Sequence, residues 1–303
     1  MPNNEDVYLG IDIGGTGIKG GLVTPEGKLL TQRTVATPVE EGRSGIMREI
    51  QRLADSLIAD SAGQVTAIGI GSAGSIDPHT GTVIFATNLP GWAGNPLALT
   101  ISEHTGLPVK ADNDVNAAAL GEAWAGAGRR FSSIALAALG TGVGGALISG
   151  GKIFHGFEGR SGEIGHMILK PGGHPCNCGQ QGCFEQYVSG TALNRIAREI
   201  DPEWTSYILM QQFKELDARA VNTMEQFVTD MAAGLISVYQ LFGPEAILIG
   251  GGLIDTADLW WDRLKQALRQ MSRKSITVER AELGNQAGII GAARLGMLAA
   301  GHV

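Results

Sequence analysis

The sequence predicts an α/β layered protein of two related domains, and three observations predict it. Candidate strands and helices alternate along the chain, the pattern of a layered sheet-and-helix fold. A strand, glycine loop and strand unit occurs twice, in residues 15–29 and 140–153, too far apart for a solenoid repeat. Glycine supplies 45 of 303 residues, roughly double the usual share, and it accumulates where backbone turns sharply or approaches a ligand closely.

Taken in order, residues 7–37 read as strand, glycine turn, strand, a Pro-Glu-Gly turn at 25–27 and a third strand, an antiparallel meander. A helical pattern follows over about residues 44–61. The apolar run VTAIGIGSAG (65–74) leads into a loop, then come the turn Asp77-Pro78, the loop NLPGW (88–92), a short helix opening near Pro96 and a buried-type strand at 107–111. From Phe131 the first pattern returns. GTGIKGGLVTPEGKL aligns with GTGVGGALISGGKI at an offset of 125 residues, counted from Gly15 to Gly140, with one gap. A third glycine loop, GGGLI, follows the strand EAILIG (245–250). The domain break is expected near Asp114, giving 1–113 plus about 286–303 as the smaller domain and 114–285 as the larger, with the last helix returning to the first half.

Composition narrows the function. The formal charge is −7 and the isoelectric point about 5.4, so a basic footprint for nucleic acid is missing. Hydrophobic residues at 44% and charged ones at 17% suit a packed soluble chain. Cys176, Cys178 and Cys183 are the only cysteines, too few and too crowded to staple a secreted domain. The start, MPNNEDVYLG, has no basic-then-apolar segment, and the longest apolar run (134–148) is broken by glycines. A cytoplasmic protein without signal peptide or membrane span is expected.

Four groups of residues carry candidate chemistry. Gly14, Gly15, Thr16 and Gly17 with Lys19, and Gly140, Thr141, Gly142, Gly144 and Gly145, form loops whose backbone N–H groups can face a phosphate chain; either loop alone is also what a tight hairpin requires. Neither is a Walker or dinucleotide-binding loop. In ADNDVNAAALGEAWAGAG, Asp114 stands at a strand's carboxyl end where a helix begins, fit for an N-cap and equally for a base that accepts a proton from a substrate hydroxyl. His166, Cys176, Cys178 and Cys183 form a Cys₃His set suited to closed, structural tetrahedral Zn²⁺, with His174 as a rival ligand. If one His166 nitrogen binds metal, the other is left for substrate. Asn88, Asn113, Glu163 and Glu185 are residues able to read hydroxyl groups or to serve as ordinary loop polarity. Trp92 suits a core as well as a site, and His79, His104, His155 and His302 read as surface or packing residues.

Together DIGGTGIK (12–19), GIGSAGSID (69–77), NLPGW, ADNDVNAAALGE (111–122), LGTGVGG (139–145), GEIGH (162–166), CNCGQQGCFEQ (176–186) and the late GGG (250–252) resemble the ROK family of bacterial sugar kinases, over nearly the whole chain. The resemblance implies an actin-like, ribonuclease H-like duplicated ATPase fold whose two domains close over sugar and Mg-ATP in a cleft. It implies Asp114 as the base on a hexose C6 hydroxyl, with Asn88, Asn113, Glu163, His166 and Glu185 holding other hydroxyls. Asp12 would help place Mg²⁺ through water, Gly14, Gly15 and Thr16 with Gly140 to Gly145 would cradle phosphates, and Gly250, Gly251 and Gly252 would lie near the nucleotide. Two positions depart from the pattern: no proline precedes Gly74, and Ala146 replaces a frequent glycine. CFEQYVSGTAL looks most like the glucokinases of the family, which makes glucose the first choice ahead of fructose, mannose and N-acetylhexosamines, with glycolysis consuming the product. A homodimer is implied. The family also holds sugar-responsive repressors, but only eleven residues precede Asp12, too few for a helix-turn-helix. A sugar-binding protein without turnover is the other non-enzyme reading.

Overall fold

The computed structural model describes residues 6–61, 64–86 and 89–302. It begins with β1 (Val7–Ile13), β2 (Gly17–Val23), β3 (Leu29–Ala36), α1 (Gly42–Asp60), β4 (Val65–Ser72), β5 (Ser75–Ile76), β6 (Val83–Phe85), α2 (Leu97–Thr105), β7 (Val109–Asn113) and α3 (Asp114–Ala125). It continues with β8 (Ser133–Leu139), β9 (Val143–Ser149), β10 (Lys152–Ile153), α4 (Glu185–Val188), α5 (Gly190–Ile200), α6 (Ser206–Lys214) and α7 (Ala218–Phe242). The last elements are β11 (Ala246–Gly250), α8 (Trp261–Met271), β12 (Val278–Arg280) and α9 (Ala287–Ala299). Among the described residues no helix is long and apolar enough to cross a membrane.

The chain divides into two units. The first holds the described residues up to Ser132, Leu147–Ser161 and those from Glu282 onward; the second holds Ser133–Ala146 and Gly162–Ala281. The division therefore lies beyond α3, not at Asp114. Its physical reason is the fit of α3 to α9: a methyl group on Gly291 would overlap the Ala117 carbonyl, and one on Gly121 would crowd the Ala287 carbonyl. Backbones this close make α3 part of the first unit.

The two five-stranded sheets have the same order, β3-β2-β1-β4-β7 and β10-β9-β8-β11-β12. In each, a meander is followed by parallel pairings, β1 with β4 and β4 with β7 in the first, β8 with β11 and β11 with β12 in the second. This is the α/β duplication of an actin-like ATPase fold. The central strands β4 and β11 are buried along nearly their whole length, as parallel strands covered on both faces must be.

In the first unit α1 buries Ile46, Ile50, Leu53 and Leu57 on one face, spacings of three and four that keep one stripe toward the sheet. On α9 the small residues decide the packing. A methyl group on Gly69 would collide with the Ala292 carbonyl, so β4 and α9 approach backbone to backbone. Part of the glycine excess thus serves helix–sheet packing and not ligand approach. Trp92 is fully buried and donates its indole N–H to Ser72 Oγ at 3.0 Å, which makes it a core aromatic. The second unit is built around Phe184, Phe227 and Trp260, the last two edge to face at 6.2 Å.

Candidate functional site

The candidate residues of the first unit gather at the carboxyl ends of β1 and β7. Asp12, the penultimate residue of β1, pairs across the ladder with Lys19 of β2, whose Nζ lies 3.8 Å from Asp12 Oδ2. Lys19 therefore answers a carboxylate. The turn between them is fastened at both sides: Gly14 N–H donates to the Gly17 carbonyl at 3.0 Å, Thr37 N–H to the Thr16 carbonyl, and Thr37 Oγ1–H to the Gly14 carbonyl at 2.7 Å. Gly288, at the start of α9, leaves no room for a methyl beside the Asp12 carboxylate. Burial pushes the Asp12 carboxyl up to about 6, Lys19 opposes the shift, and the Asp114 charge adds to it.

At the end of β7 the helix cap is Asn113, not Asp114. Asn113 has extended backbone, and its Oδ1 accepts from Val115 N–H at 2.9 Å and Asn116 N–H at 3.1 Å. Its Nδ2 donates to the Gly74 carbonyl and to Asp114 Oδ1, both at 2.9 Å. Asp114 is thus the first helical residue, with its carboxylate held by its neighbour's amide. Beneath them Asp112, 1% exposed, sits 2.6 Å from His155 Nε2, so the half-buried His155 is a packing residue with a polar partner. Asn88 lies outside the described residues.

In the second unit the β8–β9 hairpin turns one residue sooner, Gly140 N–H donating to the Gly142 carbonyl at 2.9 Å. The offset of 125 therefore holds for the second strand of each hairpin, while Gly14 matches Gly140 at the end of the first. None of these hairpin glycines is left-handed; Gly142 is needed because a side chain there would strike the Glu185 carboxylate. Glu185 Oε2 accepts from Val143 N–H at 2.8 Å, and Gly144 follows within β9. Gly250 ends β11, and at Gly251 (φ +82°) a methyl group would collide with the Leu139 carbonyl. Gly252, Gly140 and Thr141 share a cavity of about 440 Å³ with Thr191 and Asn194 of α5 and the 85% exposed Tyr207 of α6. Sequence reasoning missed these three: they come from two helices, in ordinary polar contexts.

The Cys₃His set converges. The ligand atoms of His166, Cys176, Cys178 and Cys183 all lie within 4.8 Å of one another. Cys178 Sγ is 3.6 Å from Cys183 Sγ, and Cys176 Sγ is 3.6 Å from His166 Nδ1. A tetrahedron with metal–sulfur bonds of about 2.3 Å has edges of about 3.8 Å, so the donors fit one such ion. His174 stands apart: its Nε2 is 2.8 Å from Arg195. Cys176 Sγ also reaches to 3.9 Å from Glu185 Oε1, so Glu185 joins the metal loop to the hairpin. Glu163 is exposed at the head of the turn Ile164–His166, its carbonyl accepting from His166 N–H at 3.1 Å.

The sequence model of the ROK family matches residues 8–297. A glucokinase of Thermotoga maritima is 34% identical over 95% of this chain and 96% of its own. An N-acetyl-D-glucosamine kinase of Yersinia enterocolitica is 30% identical over 95% of this chain and 99% of its own. The crystal structure of a ROK family glucokinase from Streptomyces griseus in complex with glucose and AMPPNP superimposes with a TM-score of 0.80 at 35% identity, covering 96% of this chain and 99% of that one.

Proposed function

This chain belongs to the ROK family, and on that premise we propose that it is an ATP-dependent glucokinase, transferring the γ-phosphoryl group of ATP to the C6 hydroxyl of glucose. The observation that carries the proposal is full-length similarity to glucokinases, one of them solved with glucose and AMPPNP, in a chain that keeps Asp114 at the end of β7 beside a glycine hairpin. Asp114 accepts the C6 hydroxyl proton as the sugar oxygen bonds to the γ-phosphorus and the bond to the β-phosphate oxygen breaks. Asn113 holds Asp114 in place through its amide and, with Asn88, Glu163, His166 and Glu185, reads the remaining hydroxyls.

The two hairpins, Gly14 to Thr16 and Gly140 to Gly145, offer N–H groups to phosphates, and the cavity beside Gly252 is of a size for the nucleoside. Mg²⁺ bound with ATP would supply charge neutralisation on the phosphates, and Asp12 would hold it through water. The Cys₃His set suits structural Zn²⁺, which would leave His166 Nε2 for substrate and supply folding free energy. We further assign the protein to the cytoplasm, where such thiols stay reduced, and to a homodimer, which sedimentation velocity tests.

The direct test is ADP release from Mg-ATP with glucose, fructose, mannose, N-acetylglucosamine and N-acetylmannosamine, in wild type and Asp114→Ala. Turnover strongest on glucose and lower by about 10³-fold in the variant is expected, the scale of a general base. The 30% identity to an N-acetylglucosamine kinase gives the acetylated sugars their place in the panel; strongest turnover on one of them replaces glucose as the substrate.

A further inference from the structure

We infer that His155 is a positioning residue for the Asn113–Asp114 turn, acting through Asp112; the inference rests on the kinase reading for its catalytic consequence only. Asp112 and His155 both belong to the first unit. Asp112 faces inward from β7 and is 1% exposed, and each of its oxygens is used. Oδ1 accepts from Asn113 N–H and from Asn116 Nδ2–H, both at 2.8 Å. Oδ2 lies 2.6 Å from His155 Nε2. A carboxylate oxygen only accepts, so Nε2 carries the hydrogen of that bond.

The geometry makes Asp112 the common anchor of the residues on both sides of Asp114. Asn113 is held through its backbone N–H and Asn116 through its side chain, and Asn113 in turn holds Asp114 through Nδ2. A buried carboxylate is costly unless every lone pair is answered. Remove the imidazole and Oδ2 must find a new donor, by rotation of Asp112 or entry of water. Rotation releases the grip of Oδ1 on Asn113, and a water in place of the ring holds the carboxylate less firmly than the fixed imidazole does. His155 comes from the segment Leu147–Ser161, far from Asp112 in sequence, and is held there by Ser161 N–H on its own carbonyl at 2.9 Å. Its ring is 24% exposed, so the bond is sheltered but the position tolerates substitution.

The experiment compares wild type, His155→Phe and His155→Gln. Glutamine places an amide N–H where Nε2 stands; phenylalanine keeps the volume and removes the donor. Expected for His155→Phe is a kcat about tenfold lower, the scale of a small misplacement of a reacting group, with KM for ATP unchanged. His155→Gln should recover most of the rate. Amide exchange is read on the same proteins without substrate: protection of the Val115 and Asn116 N–H groups should fall in His155→Phe and return in His155→Gln. Equal kcat in wild type and His155→Phe, or a glutamine variant as slow as the phenylalanine one, overturns the inference. A wild type without turnover on any sugar defeats the kinase reading instead; the exchange measurement then decides alone, and unchanged protection in His155→Phe overturns the positioning role.

Discussion

The β1–β2 and β8–β9 hairpins are two copies of one backbone idea with different chemistry attached. The first has a charged ladder rung, Asp12 with Lys19, and stands in a unit whose other strand end carries Asp114. The second has no charge of its own on the turn; its Val143 N–H is taken by Glu185, which opens α4 and lies 3.9 Å from Cys176 Sγ of the Cys₃His set. The two sheets keep the same strand order and hairpin position, while the carboxylates beside them differ: Asp12 and Asp114 in the first unit, Glu185 in the second. The loops between the strands are equal in length, but the closing hydrogen bond spans one residue fewer in the second copy.

Metal removal separates the copies most sharply. Chelation of the Cys₃His set should cost the second unit several kcal/mol, since structural zinc contributes about 10 kcal/mol or more in small metal-folded domains. Amide exchange should rise along β8, β9 and α4 and stay unchanged along β1 and β2. Equal loosening of both sheets breaks the comparison.

Asp12→Asn tests the charged copy, and it acts in two directions. Turnover should fall by about 100-fold or more, the loss of one group stabilising transferred charge. Stability should move the other way above neutrality. A carboxyl raised from 3.8 to about 6 in the folded state binds a proton on folding, so its favourable contribution is present below about pH 4 and is lost as pH rises through 6. At pH 8, without nucleotide or metal, Asp12→Asn should therefore unfold at higher denaturant than wild type, by on the order of 2 kcal/mol. A variant less stable than wild type at pH 8 would show that Lys19 outweighs burial.

The smallest effects come from the second turn. Gly142→Ala should displace Glu185 and raise KM for glucose about tenfold. Gly140→Ala, where a methyl meets nothing within 4 Å, should change stability by less than about 0.5 kcal/mol. It should raise KM for ATP only about threefold, by crowding a phosphate. Steady-state kinetics and urea midpoints read both, and a reversal of their order would mean that the glycine at 142 serves the backbone alone.

Much of this was legible in the sequence because the signals are local. Glycine turns, a strand end followed by an alanine helix and four metal donors within eighteen residues each declare themselves within one window. The assignment of the cap to Asp114 instead of Asn113 was a slip of one residue, set by whichever side chain reaches back to Val115 and Asn116. Long-range pairings left no trace. His155 and Asp112 are brought together by sheet topology, and Thr191, Asn194 and Tyr207 by the packing of α5 against α6. The glycine excess was legible as a number but not as a purpose, since Gly69 and Gly291 reveal their use only when α9 is laid on β4 and α3.

That last packing sets an order of events in the cell. The first unit is finished by the stretch from Glu282 onward, which is synthesised after the whole of the second unit. At about 5–20 residues per second, the opening 132 residues wait many seconds with the groove meant for α9 unfilled, its Gly10 and Gly69 backbone open to strangers. The second unit, contiguous from Gly162 to Ala281 apart from one hairpin, can mature meanwhile. A nascent chain halted just before α9 should thus be a client of chaperones, and the emergence of α9 should be the step that ends that dependence.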